Sequence, residues 1–399
     1  LLIGLLPFFL PVYLWNRGLG LAGLSLLIGI SGFAFALSLG LWQRWSTRWP
    51  LRRLITLTFI LEIALVSAVG IATTIPGMAL FATDALPAQH GNAGPLVLTA
   101  IALGICNGLY NGFFWTTQRT LFLQQLGRND TGSQYGNFQI FVALFLKAGI
   151  LIGGVLLDHG GFIWLLAISA GLSAVSAIHL AEQHGNHQPL HAFGTHIGTR
   201  QSLKFTDHRG SRQTFAIDGI FLYLESHLWT LSLFLVVKQD FARLGVAVVL
   251  LALGFALLFY LIKNAIDKID LQRVYQAAVL VYAISWLLRY TLSEETSDTG
   301  NSAAEGSTLI ITLLLITFFS SFFRLIFNKR FFDIAKNEGA VQYLLLKSYS
   351  SQWILGAFYT CLGLLLFVVD INTQLVFQII YVCAAILTLA YLGYRDRTA

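Results

Sequence analysis

Asp218 and Glu225 stand two helical turns apart within the apolar run 214–237, so a helix places both carboxylates on one face with Trp229 and Ser232. Tyr223, Ser226, His227 and Thr230 fall nearly opposite. His227 lies about 200° around the helix from Glu225 and cannot pair with it directly. A carboxyl that alternates between an apolar site and a cation takes up and releases a proton, which makes Glu225 the first candidate proton carrier. Asp218, on the same face, shares that role, forms a structural ion pair, or stands at the polar end of the run. His227 either titrates separately or hydrogen-bonds to a neighbouring helix.

Further groups with binding chemistry occupy other apolar runs. Arg324 heads a stripe of Thr317, Ser320, Ser321 and Asn328. Its guanidinium can clasp a carboxylate or phosphate in a bidentate fork, pair with Asp333, or extend to the polar boundary. Lys147 follows Gln139 by about two turns and either binds an anionic group of a substrate or neutralises Glu62. Glu62 is the lone carboxylate of the run 54–74 and a further candidate for proton coupling. Asn107, Tyr110, Asn111, Phe114 and Gln118 share one face of the run 95–118. Amides beside aromatic rings suit a sugar or another polyhydroxylated or aromatic ligand, and asparagine also bonds between helices. The candidate ligand contacts are therefore Asn107, Tyr110, Asn111, Gln139, Lys147 and Arg324, while Lys347 and Ser351 read as boundary residues.

Other chemistries find little support. His184, His187, His191 and His196 lie in a polar stretch with no cysteine or carboxylate to complete a rigid metal site. Cys106, Cys361 and Cys383 are far apart and fall inside apolar runs, so they read as packing residues. No glycine-rich phosphate loop with an adjacent lysine is legible, and Asn129-Asp130-Thr131 is a glycosylation acceptor on the side predicted to be cytoplasmic. The net charge of +6 is spread over short loops and forms no basic stripe with interleaved aromatics, which argues against nucleic acid. No enzyme, cofactor or metal is expected; the expected partners are a small-molecule substrate and membrane lipid, with the chain a monomer.

The elements that must position these residues are transmembrane helices. Hydrophobic residues make up 56% of the 399 positions and charged residues 11%, against roughly 45–50% and about 25% in soluble domains. Runs such as 19–41, 54–73 and 246–262 approach the roughly 20 residues that cross ~30 Å of hydrocarbon. Twelve spans are predicted, at 1–15, 19–42, 54–74, 95–118, 136–157, 161–181, 214–237, 243–262, 271–290, 307–327, 342–369 and 373–393. The first is short and lacks an initiating Met, so the first helix is expected to begin upstream of Leu1, and no cleavable signal peptide is legible. A charge at the centre of a bilayer costs about 2.5–3.5 kcal/mol, so each buried ionisable group must face a cavity or a partner.

Basic residues near span ends stay cytoplasmic. One set of connections holds Arg44, Arg48, Arg52, Arg53, Arg119, Arg128, Arg200, Lys204, Arg209, Arg212, Lys263, Lys268, Arg273, Lys329, Arg330, Lys336, Arg395 and Arg397. The opposite set holds only Arg17, Lys238, Arg243 and Arg289, beside the acidic Glu294, Glu295, Asp298 and Glu305. Both termini and the middle loop are thereby expected in the cytoplasm. That loop, 182–213, is rich in His, Gly and basic residues, reads as a mobile linker, and divides the chain into six-helix units at 1–181 and 214–399. An internal echo supports the division: Phe113-Phe114-Trp115, Arg119, Phe122 and Gln134-Tyr135 against Phe322-Phe323-Arg324, Arg330, Phe331 and Gln342-Tyr343.

Six helices, a long linker and six more, with both termini on one side, resemble the major facilitator superfamily over essentially the whole chain. Arg44-Trp45-Ser46-Thr47-Arg48-Trp49-Pro50-Leu51-Arg52-Arg53 keeps the basic pair that ends this family's loop signature and has Arg48 in place of its aspartate. Gly149-Ile150-Leu151-Ile152-Gly153-Gly154 resembles the family's glycine-rich motif without its proline and also reads as close helix packing. The resemblance implies an all-α polytopic membrane protein whose two bundles rock about a central site. It also implies secondary active transport of a small solute by alternating access, proton-coupled, in a bacterial inner membrane. The mixture of deep cations and carboxylates leans slightly toward an anionic or zwitterionic substrate. The alternative is a non-transporting receptor, assembly factor or lipid-modifying protein on the same bundle.

Overall fold

A computed structural model describes residues 2–74, 93–125, 131–182, 197–237, 240–252, 271–295, 303–337, 339–369 and 371–395. Among the described residues the regular structure is entirely helical. Six long helices come first: α1 (Leu2–Asn16), α2 (Gly20–Ser46), α3 (Leu51–Thr74), α4 (Ala93–Gln125), α5 (Thr131–Val155) and α6 (Phe162–Glu182). A short α7 (Thr199–Lys204) lies in the linker. Then come α8 (Ser211–Tyr223) and α9 (Trp229–Val236), fused by a π turn at Leu224–Leu228 into one broken helix. They are followed by α10 (Phe241–Ala252), α11 (Leu271–Glu295), α12 (Ala303–Asn337), α13 (Ala340–Val368) and α14 (Thr373–Thr388). Eight of the described helical stretches are long and apolar enough to cross a membrane. Large apolar side chains stand on the outside, Leu98 at 66% and Ile163 at 69% exposed, as expected of a surface solvated by lipid. The chain is an integral, multi-pass membrane protein.

Without a hydrophobic drive between helices in lipid, close packing depends on small residues. Gly104, Gly108 and Gly112 of α4 lie against α2 so tightly that a Cβ at Gly104 would stand 2.8 Å from the Leu27 carbonyl oxygen, and one at Gly108 would strike Ser31. The opposite side of α2 meets α13. A Cβ at Gly32 would come 2.9 Å from Gly356 N, and one at Gly363 would come 2.8 Å from Leu26 N. Helix α2 is thus held between its own set of helices and the C-terminal set. In α5, Gly153 receives the Phe9 ring of α1, and Gly154 lies against the Phe241 carbonyl at the start of α10.

Connectivity defines two faces, one carrying the linker and one opposite. On the linker face Gln43 of α2 donates to Tyr349 Oη of α13 (3.0 Å), and Phe122 of α4 packs on Phe332 of α12 (5.2 Å between centroids). On the far face Ala242 N donates to Asp158 Oδ2 (2.5 Å), beside the Gly154 contact. Contacts tie the two sets together at both faces.

Three local expectations are revised. The C-terminal part of the linker is ordered: Ile197 is buried, exchanges backbone hydrogen bonds with the Gln43 amide (2.9 and 3.1 Å), and Ser202 of α7 is buried against α13. Residues 183–196, with His184, His187, His191 and His196, lie outside the described residues, as do Arg128, Asn129, Asp130, Lys238, Lys263 and Lys268. Helix α12 runs ten residues past its expected end at 327, to Asn337, so Lys329, Arg330 and Lys336 are helical and Arg330 is buried over the rings of Tyr275 (4.4 Å) and Tyr394 (5.4 Å). Helix α11 likewise extends to Glu295, which takes Arg289 out of the loop set and into the core at 2% exposure.

Replacing Gly219 of α8 by Ala forces a methyl into the Ser351 carbonyl of α13 and should destabilise the protein by about 1–3 kcal/mol. Gly171→Ala, where a Cβ meets nothing within 4 Å, serves as the control and should not destabilise. Thermal unfolding of the purified variants in one detergent checks both, and equal stability of the two would contradict the close-packing account.

Candidate functional site

In the C-terminal set the carboxylate face of α8 and the π turn meets α12. Arg324 donates through Nε to Glu225 Oε2 (2.6 Å) and through Nη1 to Asp218 Oδ1. Asp218 also takes an ion pair from Lys347 Nζ at Oδ2 (3.0 Å) and a hydrogen bond from Tyr391 Oη at Oδ1 (3.0 Å). Four charges thus form one neutral cluster of two carboxylates and two cations. Asp218 and Lys347 are buried, and the side chains of Arg324 and Glu225 remain 17% and 18% exposed. An aromatic shell of Phe221, Tyr282, Trp286, Phe323, Phe327 and Tyr391 encloses the cluster. Within it Tyr282 stacks on Phe323 (4.2 Å), and Lys347 lies over Phe327 (4.6 Å).

The π turn explains why this part of the helix departs from regular spacing. It carries one residue more than an α turn, and such turns recur where side chains are aimed for function. Asp218 and Glu225 both reach Arg324, whereas His227 turns away to bond Ser226 Oγ (2.8 Å) and stack on Tyr223 (4.7 Å).

The N-terminal set carries a neutral ladder. Trp115 Nε1 donates to Asn111 Oδ1 (3.0 Å), Asn111 Nδ2 to Asn107 Oδ1 (2.8 Å), and Asn107 Nδ2 to Ser31 Oγ of α2 (2.9 Å). Tyr110 is buried, and its hydroxyl finds no hydrogen-bond partner among the described residues. Glu62 is buried at 1% exposure, its Oε1 is unpartnered, and it does not pair with Lys147. Lys147 is half-buried and makes no ion pair among the described residues. The side chain of Gln139 lies outside the described residues.

Two residues of the C-terminal set were misplaced from sequence. Lys347, expected at a boundary, lies two turns into α13 because that helix begins at Ala340, and it is paired with Asp218. Arg289 donates to Ser285 Oγ (3.0 Å) and Ser320 Oγ (2.8 Å) between the Trp286 and Trp229 rings, at 4.0 and 4.8 Å. A Lys or Arg within two turns of a predicted helix end was the available signal for both. Tyr282 and Tyr391 had no signal beyond being aromatic.

At the far face Asp158, at the end of α5, hydrogen-bonds across to Asp240 just before α10. Partial burial, with Asp240 beside it, pushes the Asp158 carboxyl up, while the Arg243 backbone N–H and guanidinium hold Asp240 down. The adjacent His159 is turned to the Val155 carbonyl (3.2 Å), and Arg243 pairs with Asp240 (3.1 Å).

No family model matches this chain, and no curated protein matches it in sequence. Solved structures do. A crystal structure of a point mutant of the nucleoside transporter NupG superposes with a TM-score of 0.67 at 12% identity, covering 98% of this chain and 95% of that one. Another NupG crystal structure gives 0.58 at 12% identity, covering 97% and 96%. The xylose transporter XylE from E. coli, in a partially occluded inward-open conformation, gives 0.62 at 12% identity, covering 93% and 87%. These likenesses define the fold: the chain is a polytopic helical membrane protein with the major facilitator fold.

Breaking a buried ion pair by removing one partner costs about 3–5 kcal/mol, because the other charge stays buried. Asp218→Asn should therefore lower stability by about that amount, and Asp218→Asn with Lys347→Met by less than the sum of the two single changes. Unfolding of the four proteins tests this; additive losses would mean the two side chains are not coupled. For the far face, the closed contact binds the Asp158 proton more tightly than the separated ends do, so closure is favoured at low pH and lost as pH rises through the Asp158 titration. Labelling of Leu244→Cys by an impermeant thiol reagent, relative to Val246→Cys, should rise with pH and become flat in Asp158→Asn; an unchanged profile in Asp158→Asn would remove Asp158 from closure.

Proposed function

We propose that this protein is a secondary active transporter that moves a small solute across the membrane by alternating access between its two helical sets, units 1–181 and 214–399 joined by the linker 182–213. The observation that carries the reading is the Asp218, Glu225, Arg324 and Lys347 cluster. Ionic groups at this depth are costly, and two of the four remain partly exposed, as expected where a solute has access. The fold likeness to solute transporters supports the same conclusion.

Proton coupling is assigned to Glu225, with Asp218, Glu62 and His227 as further members. Glu225 fits because among the described residues its one salt-bridge partner is Arg324, whereas Asp218 is also held by Lys347 and Tyr391. Glu62 fits as a buried carboxyl with no cation beside it among the described residues. Substrate contact is assigned to Arg324, Lys147 and Gln139 and to the ladder of Asn107, Asn111 and Tyr110.

With Arg324 and Lys347 paired to carboxylates, the neutral groups at hand are the α4 amides, an indole and phenols, which would exchange their mutual hydrogen bonds for bonds to a solute. That favours a neutral, hydroxyl-rich solute, the class to which nucleosides and pentoses belong. A second reading, an anionic or zwitterionic solute, is favoured by Lys147, which has no ion pair among the described residues. The basic loops argue for both termini and the linker in the cytoplasm of a bacterial inner membrane.

Proteoliposomes supply the test. With an imposed proton gradient, radiolabelled uridine or xylose should accumulate, and Glu225→Gln should abolish the gradient-driven part without reducing the amount of folded protein. Transport unchanged at every pH in Glu225→Gln would remove Glu225 from the mechanism.

A further inference from the structure

Arg289 is the buried cation that the cluster leaves out. It is 2% exposed, its two terminal nitrogens reach only serine hydroxyls, and its Nε has no hydrogen-bond partner among the described residues. The Trp229 and Trp286 rings flank its guanidinium, so among the described residues its direct contacts are hydroxyls and indoles, with no carboxylate in salt-bridge contact. A buried guanidinium in such surroundings attracts any carboxylate that can reach it.

One carboxylate is placed to do so. Glu225 meets Arg324 through Oε2 and has the Tyr282 hydroxyl beside it, and among the described residues its buried Oε1 has no geometric hydrogen-bond partner. Trp229, against which Arg289 lies, is four residues on from Glu225 across the π turn. Arg289 lies in the electrostatic field of Glu225, and Tyr282 lies in the fields of Glu225, Arg324 and Arg289 together. Because a π turn holds one extra residue, shifting it along the helix rotates Glu225 by roughly 100° relative to the preceding turn. Arg324 keeps Asp218 when Glu225 departs, and an oxygen of the solute takes the place of the lost carboxylate oxygen.

We propose that Arg289 is the second counter-ion station of Glu225: as solute binds, the carboxylate passes from Arg324 to Arg289, and the vacated Nε–H of Arg324 donates to an oxygen of the solute. No proton or covalent bond changes hands in this exchange. The proposal rests on the transport reading above and deepens it, with Arg289 a positioning residue and Arg324 the group that touches solute.

Two measurements test it. In protein whose Cys106, Cys361 and Cys383 are replaced by Ser, Glu225→Cys and Arg289→Cys are treated in membranes with a short bis-methanethiosulfonate. The expected result is one bridged mass with both thiols consumed; two unbridged thiols overturn the proposal whatever solute does. The second is binding of uridine and xylose to purified protein. Arg289→Gln should weaken binding about tenfold, and adding Glu225→Gln should restore it to within about twofold of Glu225→Gln alone, because a neutral side chain needs no station. Arg289→Lys, which keeps the charge, should bind nearly as wild type does and reports on folding. A double variant as weak as Arg289→Gln would give Arg289 a packing role only and overturn the proposal. If wild-type protein binds neither probe while the bridge forms, the solute class proposed above fails and the station stands on the bridge.

Discussion

A guanidinium surrounded by hydrocarbon must bring its counter-charge with it, and the architecture of the C-terminal set follows from how Arg324 meets that requirement. One carboxylate comes from α8 and the other from the π turn that follows, so α12 and the broken helix are bound across their shared interface. Lys347 brings α13 to the same point, and the Tyr391 hydroxyl brings the turn that follows α14. The aromatic shell around the cluster lowers the polarity of its surroundings, which strengthens each pair and raises the cost of leaving any member alone.

The two sets answer the burial of polar groups differently. In the N-terminal set a neutral chain of amides, an indole and a serine satisfies itself along α4 and α2. In the C-terminal set the groups are ionic, and the bonds are correspondingly sensitive to protonation. Helix α2 lies between them, with glycines of α4 on one side and its own glycines facing α13 on the other. The α2–α13 contact combines these close backbone approaches with side-chain contacts, among them Phe33 on Trp353 (5.3 Å) and Gln43 on Tyr349. The division places neutral hydrogen-bonding groups in one set, ionic groups in the other, and the α2 seam between them.

Much of this was legible in the sequence because hydrocarbon imposes simple rules. Span length and the multi-pass helical class follow from composition and the length of the apolar runs. The common face of Asp218 and Glu225 follows from helical periodicity, whereas their convergence on Arg324 was not legible: the sequence offered that arginine an anionic ligand, Asp333 or the polar boundary. What was not legible has physical reasons. Lys347 and Arg289 were assigned to boundaries because each lies within a few residues of a predicted span end, and hydropathy does not show the partners, Asp218 for one and two serine hydroxyls for the other, that let a charge lie inside. Arg330 was lost in the same way. The Gly104, Gly108 and Gly112 series, four residues apart, was a readable packing signal that sat unused within the candidate ligand face of α4. The order of Ile197 and Ser202 within the linker depends on Gln43, Leu346 and Ser350, distant residues that no local pattern announces.

The central claim is that the two sets rock about this seam while the charge cluster re-pairs, so that one face opens as the other closes. Pulsed electron resonance distances in lipid, from spin-label pairs across each face, read that motion directly. The account predicts that adding solute, or substituting Glu225→Gln, lengthens the distances at one face and shortens them at the other. A single distance at each face, the same with and without solute and in the variant, would contradict it.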